Sequence, residues 1–288
     1  MATIKVRGKV IIRIIRKGIF TVGLLTLLIL GALVQLSKAD NFVKLKVPYV
    51  SKEIDLSKGI EENFWNSLTA GIDVSLSYQV LVLPWPQKEN IIKNVFVKAF
   101  HNRKDIYFYL SWTDETEDRE LDIHKFPDMC AIMFILSDTV TPADIMMGIV
   151  GTANIWQWRA DRDREYWLGE GDRMAKTSYT DYYYPFEKDE TFPISKKELK
   201  SAVEDIIAKG PGTITPKEMQ NVFGRGYYDK AKRRWHVIFK RALKAQNEKV
   251  DVSFEKRRFA AFAIWNGANG DRGGRKAISN WVELEIEP

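Results

Sequence analysis

Asn94-Val95-Phe96-Val97-Lys98-Ala99-Phe100-His101, the turn Asn102-Arg103-Lys104, and Asp105-Ile106-Tyr107-Phe108-Tyr109-Leu110-Ser111-Trp112 decide the fold class. Two runs rich in aromatic and β-branched residues flank a short polar turn, and that pattern specifies a β-hairpin. Outward from it, residues 71–83 hold two short strand-like runs. Further strands are expected at 129–136, 154–159, 234–241, 250–254, 258–265 and 279–286, with 235–239 and 259–265 apolar enough to be interior. One helix is expected after Ser195, where Glu198 completes a capping box and Gly210-Pro211-Gly212 stops the helix. Many short strands separated by turn residues predict an all-β fold. It is an antiparallel β-sandwich with long loop excursions, the longest at 160–233, and one or a few short helices.

The charge is unevenly spread. The 288 residues contain 44 Lys+Arg against 38 Asp+Glu, a net of +6. Seven of the basic residues and none of the acidic ones fall in residues 1–39, which leaves 37 basic and 38 acidic residues in 40–288. The basicity belongs to the leader, so a nucleic-acid partner is not expected for the remainder. The leader itself has a basic start, an uncharged apolar run at 19–36, and Ser37-Lys38-Ala39 before Asp40. That is the layout of an export signal. It is read either as a cleaved signal peptide or as an N-terminal membrane anchor, the run being at the lower limit for spanning a bilayer. In both readings residues 40–288 form one exported domain, in the periplasm or an equivalent compartment, with a membrane association only through an uncleaved leader. Cys130 is the one cysteine. An internal disulfide is therefore excluded, and its apolar neighbours point to a buried, inert thiol.

Catalytic constellations are scarce. The three histidines, His101, His124 and His236, do not pair at metal-ligand spacing, and there is no H-E-x-x-H, C-x-x-C-H or G-x-S-x-G. The run Gly267-Ala268-Asn269-Gly270-Asp271-Arg272-Gly273-Gly274-Arg275-Lys276 resembles a phosphate loop only in its glycines. Ala277 stands where a magnesium-binding hydroxyl would be needed. Asp114-Glu115-Thr116-Glu117-Asp118 reads as a solvated acidic turn rather than a Ca²⁺ loop. Asp161, Asp163 and Glu165, alternating with Arg162 and Arg164, read as a solvated ion-pair surface.

Three stretches, in order, carry a family resemblance. They are Phe126-Pro127-Asp128-Met129-Cys130-Ala131-Ile132-Met133-Phe134; Ile145-Met146-Met147-Gly148 followed by Ala153-Asn154-Ile155-Trp156-Gln157-Trp158-Arg159-Ala160; and residues 259–276 ending in the glycine-rich run, with Trp281 beyond. Together they resemble the haem b-binding γ subunit of ethylbenzene dehydrogenase and its relatives. Those relatives are the exported type II molybdoenzymes of the dimethyl sulfoxide reductase family: selenate and chlorate reductases, dimethylsulfide dehydrogenase and nitrite oxidoreductase. The resemblance covers roughly residues 50–288.

The resemblance implies a β-sandwich holding one non-covalent haem b between an axial methionine and an axial lysine. By position the lysine is Lys276 and the methionine lies in Met146-Met147-Gly148, with Met147 chosen for its place beside the glycine. Met129 and Met133 are further candidates. Arg159, Arg272 and Arg275 are candidate partners for the haem propionates. Taken singly, Met147 would read as core packing and Lys276 as a solvated loop lysine. The implied role is electron transfer between the iron–sulfur subunit of a molybdenum enzyme and a soluble cytochrome c, with nitrite or nitrate as the guess at the substrate and the chemistry on the molybdenum catalytic subunit. The alternative is a carbohydrate-binding module of the same sandwich type, for which Tyr179, Tyr182, Tyr183 and Tyr184 could stack sugars.

Overall fold

The computed structural model describes residues 42–79, 91–148, 151–169 and 199–288, and Val43–Pro288 form one compact unit. The chain runs through strands β1 (Val43–Val47), β2 (Gly71–Tyr78), β3 (Asn94–His101), β4 (Asp105–Thr113), β5 (Met129–Ile135) and β6 (Ala153–Arg159). It continues through β7 (Val203–Ala208), β8 (Thr215–Pro216), β9 (Phe223–Asp229), β10 (Arg234–Ala242), β11 (Arg258–Trp265), β12 (Ala277–Ser279) and β13 (Val282–Ile286). Two short α-helices are described, α1 (Glu62–Ser67) after β1 and α2 (Ala160–Leu168) after β6.

The strands follow one curled path, β8-β7-β6-β5-β11-β12-β2-β3-β4-β10-β9, with β13 pairing β11 and β1 pairing β13. Every pairing is antiparallel except β1 with β13. Because β2 pairs both β12 and β3, the path bends there and its two arms pack face to face. Phe108 of β4 meets Phe134 of β5 with centroids 5.7 Å apart. Trp158 of β6 meets Trp235 of β10 edge-on at 5.1 Å. This aromatic layer is the main core, and its strands alternate as the pleat demands: Cys130, Ile132 and Phe134 face inward, as do Ala260, Phe262 and Ile264. A second cluster, with Trp65, Phe100, Tyr107, Tyr109 and Ile238, lies on the outer face of β3, β4 and β10 under α1.

The antiparallel sandwich expected from the sequence is present, and the hairpin β3–β4 is in register over Phe96–Ser111 to His101–Ile106. Several elements differ. The helix expected after Ser195 is replaced, in its described part, by strand β7. Val203, Ile206 and Ile207 are β-branched, and their backbone pairs with β6, Ile155 opposite Ile206. Ser195 and Glu198 lie outside the described residues. Residues 160–233 are not wholly excursion, since β7, β8 and β9 belong to the sheet path. The strand expected at 250–254 does not form. Val250 and Asp251 donate to the Asn247 carbonyl and Phe254 to that of Leu243, so Val252 and Phe254 enter the core from a looped backbone. Residues 279–286 divide into the end of β12 and β13, which meet different parts of β11. At the break the Phe262 N–H donates to Ser279 Oγ at 2.8 Å. At 71–83 one strand, β2, is described, and residues 80–83 lie outside the described set.

Two polar clusters also differ from expectation. Asp163 is buried, accepting from Trp158 Nε1 at 2.9 Å and Gly226 N at 2.7 Å, with Arg119 Nη1 at 3.3 Å, so it is no surface ion. Asp114 is 2% exposed, although Glu115 and Thr116 beside it are exposed. Cys130 is a free, fully buried thiol whose pKa burial pushes well above its ordinary value. Among the described residues no helix is long and apolar enough to cross a membrane, and the leader at 1–39 lies outside them.

Strand β9 can approach the core only because it is glycine-rich. A Cβ on Gly226 would stand 2.1 Å from Trp158 Cζ2. Gly226→Ala is expected to cost about 1–3 kcal/mol through overpacking, lowering Tm by several degrees in thermal denaturation. Gly151→Ala, whose added Cβ meets nothing nearer than 3.5 Å, is the matched control and should leave Tm nearly unchanged.

Candidate functional site

The glycine-rich run between β11 and β12 is a built loop. Asn266 starts it: its side chain accepts from Asn269 N at 3.1 Å and donates to Asp114 Oδ1 at 3.2 Å, while its N–H donates to Asp271 Oδ2 at 3.1 Å. Gly267 donates its N–H to Asp128 Oδ1 at 2.8 Å, and a Cβ there would stand 2.0 Å from the Phe126 carbonyl oxygen. Gly270 closes the first turn in the left-handed region. Arg272 and Arg275 form an isolated antiparallel bridge, and Trp265 Nε1 reaches across to the Gly273 carbonyl at 3.0 Å. The loop ends at Lys276.

Asp128 is the anchor. Besides Gly267, its carboxylate accepts from Asp118 N at 2.8 Å and from Trp235 Nε1 at 2.9 Å. Burial raises the pKa of Asp114 to about 7, and that of Asp128, pushed further by the Asp114 charge, to about 8. The Phe126-Pro127-Asp128 motif therefore has a structural task, which is to clamp the start of the loop.

Lys276 is delivered to an apolar place. The register that sets Ile264 opposite Ala277 and Trp265 opposite Met129 carries Lys276 beside Trp265. Its Nζ lies 4.8 Å from the Trp265 ring centroid. The residue is only 9% exposed, and Nζ has no carboxylate or carbonyl partner among the described residues. Burial alone pulls its pKa down to about 8. Paired residues of antiparallel strands share a face, so Lys276, Trp265, Met129 and Arg159 form a row on the side of the sheet opposite the core. That side is small and apolar between the strands, with Ala131 opposite Ala263 and Met133 opposite Ala261.

Met146 and Met147 follow a 3-10 turn, Pro142–Ile145, fixed by a capping box between Thr141 and Asp144. Met146 has an ordinary negative φ of −86°. Met147 has φ +61°, a left-handed conformation uncommon for any residue but glycine, and Gly148 follows at φ +80°. Gly148 packs against Ala153, at the end of β5 and β6 remote from the Trp265–Met129 pair. The segment is tied back toward the β12–β13 junction by Trp281 Nε1, which donates to the Thr141 carbonyl at 3.3 Å.

The arginines divide. Arg159 shares the Lys276 row but is held by Asp161, with Nε to Oδ1 at 3.0 Å and Nη2 to Oδ2 at 2.6 Å. Arg272 is exposed, stacked over Phe126 at 4.5 Å and bonded to the Gly270 carbonyl at 2.8 Å. Arg275 is half-buried on the same loop, one residue from Lys276. Tyr179, Tyr182, Tyr183 and Tyr184 lie outside the described residues. The sequence reading missed the burial of Asp114 and Asp128 and the Trp265 face under Lys276. For the last, the adjacency of an aromatic strand end to the loop lysine was the available signal.

A family model described as ethylbenzene dehydrogenase matches residues 62–277, three-quarters of the chain. The chain belongs to the ethylbenzene dehydrogenase family. The match runs from α1 into β12 and so contains both Met147 and Lys276.

Three curated proteins similar to this ethylbenzene dehydrogenase family member were found. A protein of Haloferax mediterranei, provisionally named as a respiratory nitrate reductase heme subunit, is 27% identical over 78% of this chain and 66% of its own length. The dimethylsulfide dehydrogenase subunit gamma of Rhodovulum sulfidophilum is 27% identical over 68% of this chain and 62% of that protein. The chlorate reductase subunit gamma of Ideonella dechloratans is 24% identical over 63% of this chain and 60% of that protein. The aligned part of this chain thus spans less than two thirds of each relative. Among solved structures, a family 9 carbohydrate-binding module of Caldicellulosiruptor kristjanssonii in complex with glucose aligns over 85% of this chain and 97% of its own, at TM-score 0.37 and 10% identity.

A buried ammonium without a counter-ion costs stability. A lysine pKa lowered from 10.5 to about 8 means that the folded protein holds this proton less tightly than the unfolded chain does. The cost is fully present below about pH 8 and fades as pH rises toward 10.5. In the ligand-free protein, Lys276→Met is therefore expected to raise stability at pH 7 by on the order of 2–3 kcal/mol. The gain should shrink steadily between pH 8 and 10.5 in chemical denaturation.

Proposed function

We propose that this chain is a haem b-carrying electron-transfer subunit of an exported molybdenum oxidoreductase. It would relay single electrons between the iron–sulfur subunit of that complex and a soluble cytochrome c, the substrate chemistry residing on the molybdenum catalytic subunit. The observation that carries the reading is Lys276: a buried amine with no counter-ion among the described residues, at the end of a clamped glycine loop, inside the ethylbenzene dehydrogenase match. Support comes also from the relatives, one named as a heme subunit and two as gamma subunits. Nitrite or nitrate is the substrate proposed for the complex, after the name of the Haloferax relative. The exported location rests on the leader in residues 1–39.

The Lys276 end of the site fits the group, whereas Met147, at the opposite end of β5, is not brought beside Lys276 in this structure. A lysine binds iron only through its neutral amine, and burial has already brought Lys276 most of the way to losing its proton at neutral pH. A thioether needs no deprotonation, and the strained backbone at Met147 sets that side chain apart from Met146. Haem b held through Lys276 and a methionine would supply a one-electron carrier, and methionine ligation would raise its potential. The Ala131, Ala261 and Ala263 positions keep the floor beside Trp265 free of bulk. Arg272 and Arg275, at the mouth of the Lys276 loop, are the arginines proposed for the propionates. Arg159 can serve only by sharing its guanidinium with Asp161.

Visible spectroscopy of the native complex tests this reading. One b-type Soret band per chain is expected, with the haem released by acid acetone because no C-x-x-C-H tethers it. Lys276→Ala and Met147→Leu should each lose haem or convert it from low-spin, whereas Met146→Leu, a volume-conserving change, should leave the spectrum intact. Lys276→Arg should not rescue, since a guanidinium keeps its proton and has no lone pair to offer. Covalent haem, no haem in the native complex, or a spectrum indifferent to both Lys276→Ala and Met147→Leu would overturn the assignment.

A further inference from the structure

Helix α1 covers a second buried polar cluster, on the outer face of β4, β10 and β9. His236 of β10 is 6% exposed there. Its Nδ1 shares a 2.5 Å hydrogen bond with the Tyr109 hydroxyl, and its Nε2 is buried with no partner among the described residues. One ring nitrogen of His236 and one carboxylate oxygen each from Glu62 and Asp229 lie within 4.8 Å of one another. The register accounts for the meeting of strands. Tyr227 stands opposite His236 and Asp229 opposite Arg234, which makes Asp229 and His236 diagonal neighbours on one face. Glu62 comes from the first turn of α1, and the helix is fixed above this face by Trp65, three residues on, which stacks on Tyr109 at 5.0 Å.

We propose that Glu62, Asp229 and His236 form a binding site for a divalent cation of the zinc class, held through His236 Nε2 and one oxygen of each carboxylate, separate from the Lys276 site. The imidazole excludes a preference for Ca²⁺ or Mg²⁺, which take oxygen ligands, while mixed nitrogen and oxygen donors suit Zn²⁺. Two of the three ligands are already oriented by outer partners, as metal ligands are. Tyr109 holds the far nitrogen of His236. Asp229 Oδ1 accepts from Ala231 N and Lys232 N at 2.9 and 3.0 Å, which aims Oδ2 at the cluster. Burial favours the neutral form of His236, which keeps a lone pair available. Lys232 Nζ now stands 3.0 Å from Asp229 Oδ2 and 3.6 Å from Glu62 Oε2. This side chain is more than half exposed and can withdraw when the cation enters. The ion would join α1 to the β9–β10 hairpin, two parts of the chain with no covalent link near this site.

The test is to strip the purified full-length protein with chelator, add Zn²⁺ alone, and measure retained zinc by elemental analysis and zinc-edge X-ray absorption. One zinc per chain is expected, with one imidazole and oxygen ligands at about 2.0–2.2 Å. His236→Phe and Glu62→Ala should each lose it, and Tyr109→Phe should weaken binding about 10-fold or more by removing the partner of the far nitrogen. The Soret band is read alongside, so failure here is distinct from failure of the haem assignment. Absence of zinc from the wild-type protein, a coordination shell without imidazole, or zinc retained by Glu62→Ala would each overturn the site, with Lys232 then serving as a counter-ion of the two carboxylates.

Discussion

One buried carboxylate ties together the parts of the chain that make the candidate haem site. Asp128 donates its N–H to the Asp118 carbonyl and accepts the Ala160 N–H on its own carbonyl. Its side chain accepts from Asp118 N, Trp235 Nε1 and Gly267 N. The acidic turn after β4, the start of α2, strand β10 and the glycine loop all meet at this residue. A carboxylate in such a place is costly, and burial together with the nearby Asp114 pushes it toward holding a proton. The hydrogen bonds offset that cost. They also leave the Gly267 N–H satisfied, where an apolar residue would orphan it inside the protein. The position of Lys276 depends on this clamp, because the loop that delivers it begins at Gly267.

The sheet that carries the site has two different faces. Inward, β5 and β11 present Ile132, Phe134 and Phe262 to the aromatic core. On the opposite face the same strands present Ala131, Met133, Ala261 and Trp265, all buried, with Lys276 beside them. The first face is filled by interlocking bulk, as a sandwich requires. The second combines small side chains, soft sulfur and an amine that no carboxylate among the described residues neutralises. As packing alone that combination is unfavourable, because the lysine pays for its burial without a partner.

The fold was legible where local pattern and tertiary pairing agree. The β3–β4 hairpin, β5, β6, β10 and β11 are aromatic or β-branched runs, and each carries its signal within itself. Strand β7 was not legible, because Gly210-Pro211-Gly212 and a capping-box spacing imitate a helix, while the pairing that makes Val203–Ala208 a strand comes from β6, about fifty residues earlier. Asp163 and Asp114 looked solvated because charge alternation is a surface pattern. Their burial depends on donors such as Gly226 N and Asn266 Nδ2, which sequence does not place nearby. Lys276 was reached only through family resemblance, since by itself a lysine at the end of a glycine loop signals exposure. The Glu62–Asp229–His236 cluster was invisible for the same reason as β7, Glu62 lying more than 160 residues before the other two.

The parallel pair β1–β13 sets the order in which this protein can be finished. Val43 aligns with Val282 and Val47 with Ile286, so the first strand described takes its ladder from the last. Leu45 and Val47 are fully buried. While residues 282–286 are still unsynthesised, those side chains and one edge of the strand remain without their final cover. Such long-range closure is slow and leaves a sticky segment open for the whole interval. Leu45 and Val47 gain their cover only when residues 282–286 are in place beside them.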